Sequence, residues 1–125
     1  MLNFAVMEKE LPYLDLSDDQ VRRRFEQFLI NVVSETYGRY LSGVLNVNYA
    51  GAPGILFYID DDAGPLLELL VLYLPSSVKY RVSLLRPFAA REAVSRAARL
   101  IESALRFFAE TGGIGVAYFV FGPGR

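Results

Sequence analysis

The stretch VLNVNYAGAPGILFYIDDDAGPLLELLVLYLPSSVKYRVSLLR, residues 44–86, decides the fold. It divides at three turns. Residues 44–49 alternate, with Asn46 and Asn48 on one side and Leu45, Val47 and Tyr49 on the other. That is the period of a strand with one polar face. Pro53-Gly54 has the form of a type II turn, glycine supplying the positive φ, and residues 55–60 follow as a second strand. Asp60-Asp61-Asp62-Ala63-Gly64-Pro65 reads as the next turn and leads into a third strand, residues 66–74. Pro75-Ser76-Ser77 turns the chain into residues 78–86, where Val78, Tyr80, Val82 and Leu84 alternate with Lys79, Arg81 and Ser83. Turns this short join antiparallel neighbours, because parallel strands need a crossover of about a dozen residues or more.

Helices are expected on both sides of this meander. Ser17 followed by Gln20 fits a capping box, and Leu16 with Val21 fits the accompanying hydrophobic staple. Asp18 and Asp19 sit where the helix dipole favours negative charge. Val21, Phe25, Phe28, Leu29, Val32 and Thr36 recur at helical spacing, so a helix is predicted to end near Tyr40, before Gly43. Pro87 opens a second helix over residues 88–111, closed by Gly112-Gly113. Val94, Ala98, Ile101, Leu105 and Phe108 form its core stripe. Leu100, Ala104 and Phe107 widen that stripe to about half the circumference, more than packing on one sheet requires. These three residues are therefore assigned to a second contact, either with the first helix or with another subunit. Residues 114–121 are apolar on both faces and read as a buried strand. The expectation is a single α+β domain of order α-β-β-β-β-α-β. An antiparallel four- to five-stranded sheet packs with two long helices. Residues 1–16 read as an arm or short edge strand, residues 17–121 as the compact core and residues 122–125 as a loose tail.

Composition removes many activities. Cysteine and histidine are absent. Disulfides, thiolate chemistry, Ser-His-Asp and Cys-His catalysis and Cys/His zinc sites go with them. No cofactor is expected: Gly112-Gly113-Ile114-Gly115 follows a helix and enters a strand, the reverse of a dinucleotide or P-loop site. The run Asp60–Asp62 matches no calcium-loop pattern. Asp62 with Glu68 has the order of restriction-type nuclease carboxylates, but Leu70 stands where those enzymes carry lysine. No apolar run approaches the ~20 residues of a membrane span, and no signal peptide is evident, so the expected location is the cytoplasm. Net charge is −1, yet residues 1–20 and 51–77 each sum to −4, whereas residues 21–50 sum to +2 and 78–125 to +5. Blocks of this kind can gather a basic face in the fold.

Such a face can be built on the sheet. With Val78, Tyr80 and Val82 turned to the helices, Lys79 and Arg81 lie opposite. Pairing through residues 75–77 sets Tyr73 across from Lys79 and Val71 across from Arg81. Asn46, Asn48 and Phe57 would complete the surface. Single-stranded nucleic acid needs this mixture: bases stack on rings for ~1–3 kcal/mol each and cations neutralise phosphates. Arg22, Arg23 and Arg24 in the first turns of the first helix are further candidate phosphate contacts, although Arg22 and Glu26 are also spaced to pair. The plain alternative is that Phe57 and the tyrosines are core and the cations are solvated. Tyr37, Arg39 and Tyr40 could line the rim of a cleft or simply pack.

A four-stranded antiparallel sheet backed by helices, rich in Tyr, Phe and Arg on a histidine-free chain, resembles ThermoDBP and its shorter relatives, over roughly residues 17–121. The bias of 11 Arg to 2 Lys adds a thermophilic flavour. The resemblance implies a non-catalytic protein of hyperthermophilic archaea that binds single-stranded DNA or RNA through an aromatic and basic cleft. The chain also looks somewhat like secretion-chaperone-type domains, which dimerise to bind peptides. The readings carried forward are therefore a homo-oligomeric single-stranded nucleic-acid binder and, as the alternative, a protein-interaction or assembly domain. Neither has a membrane or small-molecule cofactor role.

Overall fold

The computed structural model describes residues 6–11, 15–86 and 91–112. Its elements are β1 (Val6–Leu11), α1 (Asp19–Tyr37), a 3₁₀ turn (Gly38–Tyr40), β2 (Leu41–Tyr49), β3 (Ala52–Asp61), β4 (Gly64–Tyr73), β5 (Val78–Leu84) and α2 (Glu92–Thr111). The class is α+β: the described residues form one five-stranded antiparallel sheet, ordered β1-β5-β4-β3-β2, with both helices against one face. The meander of four strands lies where the turns place it, and the N-terminal segment adds the fifth strand along β5. The strand expected over residues 114–121 and the tail lie outside the described residues.

Local chemistry accounts for the boundaries, with two corrections. The cap of α1 is Asp18, not Ser17: its carboxylate accepts from the backbone N–H of Gln20 and Val21 at 2.9 and 3.1 Å. Ser17 instead donates its own N–H to Asp15, at 2.9 Å. An aspartate at this position combines the side-chain acceptor with charge favourable to the dipole. The first hairpin does not turn at Pro53-Gly54, which lie inside β3. It turns at Ala50-Gly51, both at positive φ (52° and 87°), between the paired residues Tyr49 and Ala52. Two residues of positive φ match the right-handed strand twist that a tight hairpin needs. Gly112 closes α2 in the left-handed conformation, its N–H bonded to the Phe108 carbonyl at 2.8 Å.

The core lies between the sheet and the helices. Ile55, Phe57, Ile59, Leu67, Leu69 and Val71 of the central strands meet Phe25, Leu29 and Val32 of α1 and Ile101, Leu105 and Phe108 of α2. Part of the wide apolar arc of α2 packs on α1. Phe107 stacks on Phe28 of α1 with centroids 5.8 Å apart, and Phe108 contacts both Phe25 and Phe28. Ala104 is fully buried. Phe107 thus makes the contact with helix one, while Leu100 is only partly buried. Offset and edge-on ring pairs of this kind contribute ~0.5–1.5 kcal/mol beyond area burial.

Candidate functional site

No helix among the described residues covers the second face of the sheet, and the pairing register decides what it displays. β4 and β5 pair as Tyr73↔Val78, Leu72↔Lys79, Val71↔Tyr80 and Leu70↔Arg81. The loop therefore holds four residues, 74–77, closed by Leu74 N–H to Ser77 O at 2.9 Å. This is one residue longer than the turn expected from Pro75-Ser76-Ser77. A slip of one exchanges the faces of a strand. Tyr73 and Phe57 thus belong to the core, not to the open surface, with exposures of 5% and 0%. Tyr73 donates its hydroxyl to Glu26 at 2.7 Å. Burial first, and the Glu26 carboxylate second, push that phenol well above its ordinary range.

Lys79 and Arg81 do stand on the open face, but β1 supplies their counter-ions. Glu8 pairs in register with Arg81 and Glu10 with Lys79. Glu8 reaches Lys79 at 3.3 Å and Arg81 at 3.9 Å, while Glu10 accepts from Ser77 at 2.9 Å. Asn46 and Asn48 are exposed, yet they pair with Ile55 and Pro53 and so share the helix-side face of β2. Arg22 pairs with Asp19 at 2.5 Å rather than with Glu26, and Arg23 and Arg24 are exposed on α1. α1 packs on the opposite side of the sheet from Lys79 and Arg81. The nine residues singled out for nucleic acid are therefore not one surface. Only Lys79 and Arg81 remain together on the open face.

The open face displays a set that alternation alone could not identify. Leu45, Val47 and Tyr49 of β2 stand beside Leu56 and Tyr58 of β3 and Leu70 and Leu72 of β4. Leu45 and Tyr49 are half-exposed, at 49% and 50%. A groove of about 360 Å³ runs from this apolar half towards Lys79 and Arg81, with Tyr49, Leu56 and Leu72 in its wall. The signal available in the sequence was the apolarity of residues 66–72 on both faces.

The sheet edges differ sharply. β1 carries Glu8, Lys9 and Glu10, the pattern with which proteins blunt an edge. β2, at the other edge, reads LSGVLNVNY: nine residues with no charge and no proline. A register shift between Leu41 and Gly43 bulges one end, and residues 44–49 pair regularly beyond it.

On the helix side, a larger cleft of about 950 Å³ opens between the end of α1, α2 and the β3–β4 hairpin, and Tyr37 and Tyr40 line it. Leu100 is in its wall. Arg39 reaches Asp62 at 3.4 Å and lies over the Tyr40 ring, and Tyr40 donates to Asp62 at 2.7 Å. The acidic turn is held throughout: Asp60 accepts from Ser42 at 3.1 Å and Asp61 pairs with Arg86 at 2.5 Å. The Arg86 hydrogen bond, then the Ala63 N–H, hold the Asp61 carboxyl below the usual carboxylate range. Among the described residues no cluster of three acidic side chains is arranged to hold a metal, and no helix is long and apolar enough to cross a membrane.

Comparison of the chain with protein-family models, with curated proteins and with solved structures finds no match.

Proposed function

We propose that this is a non-catalytic assembly domain that pairs with a second copy of itself along the outer edge of β2, which no strand among the described residues covers. The observation that carries the reading is the contrast between the two edges: β1 is charged, and β2 is uncharged over nine residues with Leu45 and Tyr49 half-exposed beside it. Unpaired backbone N–H and C=O groups on such an edge are a template for another strand. Its lack of charge means that two copies meet about a two-fold axis without like-charge opposition, and the net charge of −1 adds little long-range repulsion. The apolar residues of the open face adjoin that edge and extend the buried area.

Sedimentation equilibrium over a range of concentrations tests this, with Leu45→Lys as the variant, since it places two like charges near the axis. The expected result is a concentration-dependent dimer that Leu45→Lys converts to monomer with an unchanged circular dichroism spectrum. A wild-type chain that is monomeric throughout, or a dimer indifferent to the substitution, overturns the reading.

Single-stranded nucleic-acid binding is the second reading. What favours it is one groove lined by Tyr49, Lys79 and Arg81. It calls for salt-dependent oligonucleotide binding that Lys79→Glu with Arg81→Glu abolishes. Binding that ignores both salt and these substitutions would remove it.

A further inference from the structure

The cleft on the helix side has the composition of a small-molecule site, and none of its wall comes from β2. Its volume of about 950 Å³ falls in the range of ligand pockets, ~300–1,000 Å³. Along α2 the lining residues Ala93, Arg96, Leu100 and Ser103 recur at helical spacing, so one stripe of the helix faces the cleft over about 15 Å. Leu66, Ala93 and Leu100, partly buried, give it an apolar wall, with the buried Ile59 and Leu67 behind them.

The cations at this cleft are not equivalent. Arg86 is committed: its Nε donates to the Pro65 carbonyl at 2.9 Å, and its guanidinium pairs with Asp61. Arg96 and Arg99 are exposed and have no carboxylate within 4.0 Å among the described residues. The other carboxylate of the lining, Asp60, is occupied by Ser42. The field of Arg96 reaches inward. Burial pushes the Tyr37 phenol up, and Arg96 pulls it part of the way back.

An apolar cleft with two guanidinium groups that have no ion pair among the described residues matches a ligand with a hydrocarbon body and an anionic head. Guanidinium forks bind carboxylates through paired N–H donors. We propose that this cleft binds a long-chain monocarboxylate, its hydrocarbon along Leu66, Ala93 and Leu100 and its carboxylate on Arg96 and Arg99. The site is independent of self-assembly through β2.

Isothermal titration calorimetry on the full chain tests the assignment with decanoate and with decyltrimethylammonium, which has the same tail and the opposite charge. Decanoate is expected to bind saturably and at least about tenfold more tightly than the cation, the effect of one charge-assisted contact. Arg96→Gln with Arg99→Gln should weaken decanoate by about tenfold or more and leave the cation unaffected. Both arginines are exposed, so the fold should survive, and circular dichroism checks this. Arg23→Gln, on the exposed surface of α1, should bind as the wild type does. The proposal is overturned if decanoate shows no saturable binding, if the two head groups bind alike, or if the double variant keeps its decanoate affinity within about threefold.

Discussion

Phe57 is the residue on which the two possible faces of the sheet differ most. If the register of β3 against its neighbours is as the structure has it, Phe57→Ala removes a fully buried ring from the middle of the core. A phenylalanine side chain buries ~150–250 Å². At ~25 cal/mol per Å² the transfer contribution is about 4–6 kcal/mol, an upper figure because unfolded chains bury some of this area themselves. Phe→Ala changes in cores cost about 3–5 kcal/mol, cavity included. Tyr49→Ala provides the comparison. Its ring is half-exposed on the open face beside the hairpin turn, and in the monomer, at protein concentrations below those of the proposed dimer, a substitution there should cost under about 1 kcal/mol. Urea unfolding followed by circular dichroism measures both. With total stability of ~5–15 kcal/mol for a domain, Phe57→Ala should unfold at a far lower midpoint with little change of slope. If Phe57→Ala costs no more than Tyr49→Ala, the strand is turned the other way, and Phe57 with Tyr73 returns to the open surface.

Two further outcomes follow from local geometry. Ala50 holds φ at +52° in the β2–β3 turn, a conformation that costs an L-residue with a Cβ roughly 1 kcal/mol and that asparagine adopts more readily. Ala50→Asn should therefore raise stability by about 0.5–1 kcal/mol in thermal melts, and a loss of stability would count against that turn. The second concerns acid. Tyr80 donates its hydroxyl to Glu102 at 2.6 Å and Lys9 pairs with the same carboxylate at 3.1 Å. The Tyr80 hydrogen bond is the main reason the Glu102 carboxyl is held below its ordinary value. A depressed folded-state value gives stability that is present above the ordinary glutamate range and lost as pH falls through the folded value. Tyr80→Phe should cost about 1 kcal/mol at pH 7 in urea unfolding and less near pH 3. A cost that is the same at both pH values would disprove the coupling.

Much of the fold was legible because its signals are local. The alternation of Val78, Tyr80, Val82 and Leu84 fixed the buried face of β5, and the helical spacing of Phe25, Phe28, Leu29 and Val32 fixed that of α1. The errors fall where local signals are degenerate. β3 and β4 are apolar at nearly every position, so their faces cannot be told apart by period, and a single residue of loop length then decided where Tyr73 and Phe57 went. Pro53-Gly54 has turn chemistry but lies in a strand, while the actual turn uses an alanine at positive φ, a residue no turn rule selects. For β2 the sequence separated the two sets of side chains correctly. It could not show that the polar set would take the helix side, where the end of an edge strand runs beyond the helices and is exposed.

The charge blocks of the sequence have a different role from the one their spacing invites. The acidic N-terminal block and the basic block of β5 meet across the β1–β5 ladder, where Glu8 faces Lys79 and Arg81. The acidic turn between β3 and β4 takes up Arg39 and Arg86. Segregation along the chain thus becomes neutralisation in the fold, and it ties sequence-distant segments together instead of collecting cations on one face. Exposed pairs of this sort add little stability singly. Their larger effect is on what remains available for recognition. Once the blocks cancel, an uncharged β2 edge remains on one side of the molecule and, on the other, beside an apolar cleft, Arg96 and Arg99, which have no ion pair among the described residues. These are two separate surfaces with different chemistry, so the proposed self-assembly and the proposed carboxylate binding should be lost independently, by Leu45→Lys in one case and by Arg96→Gln with Arg99→Gln in the other.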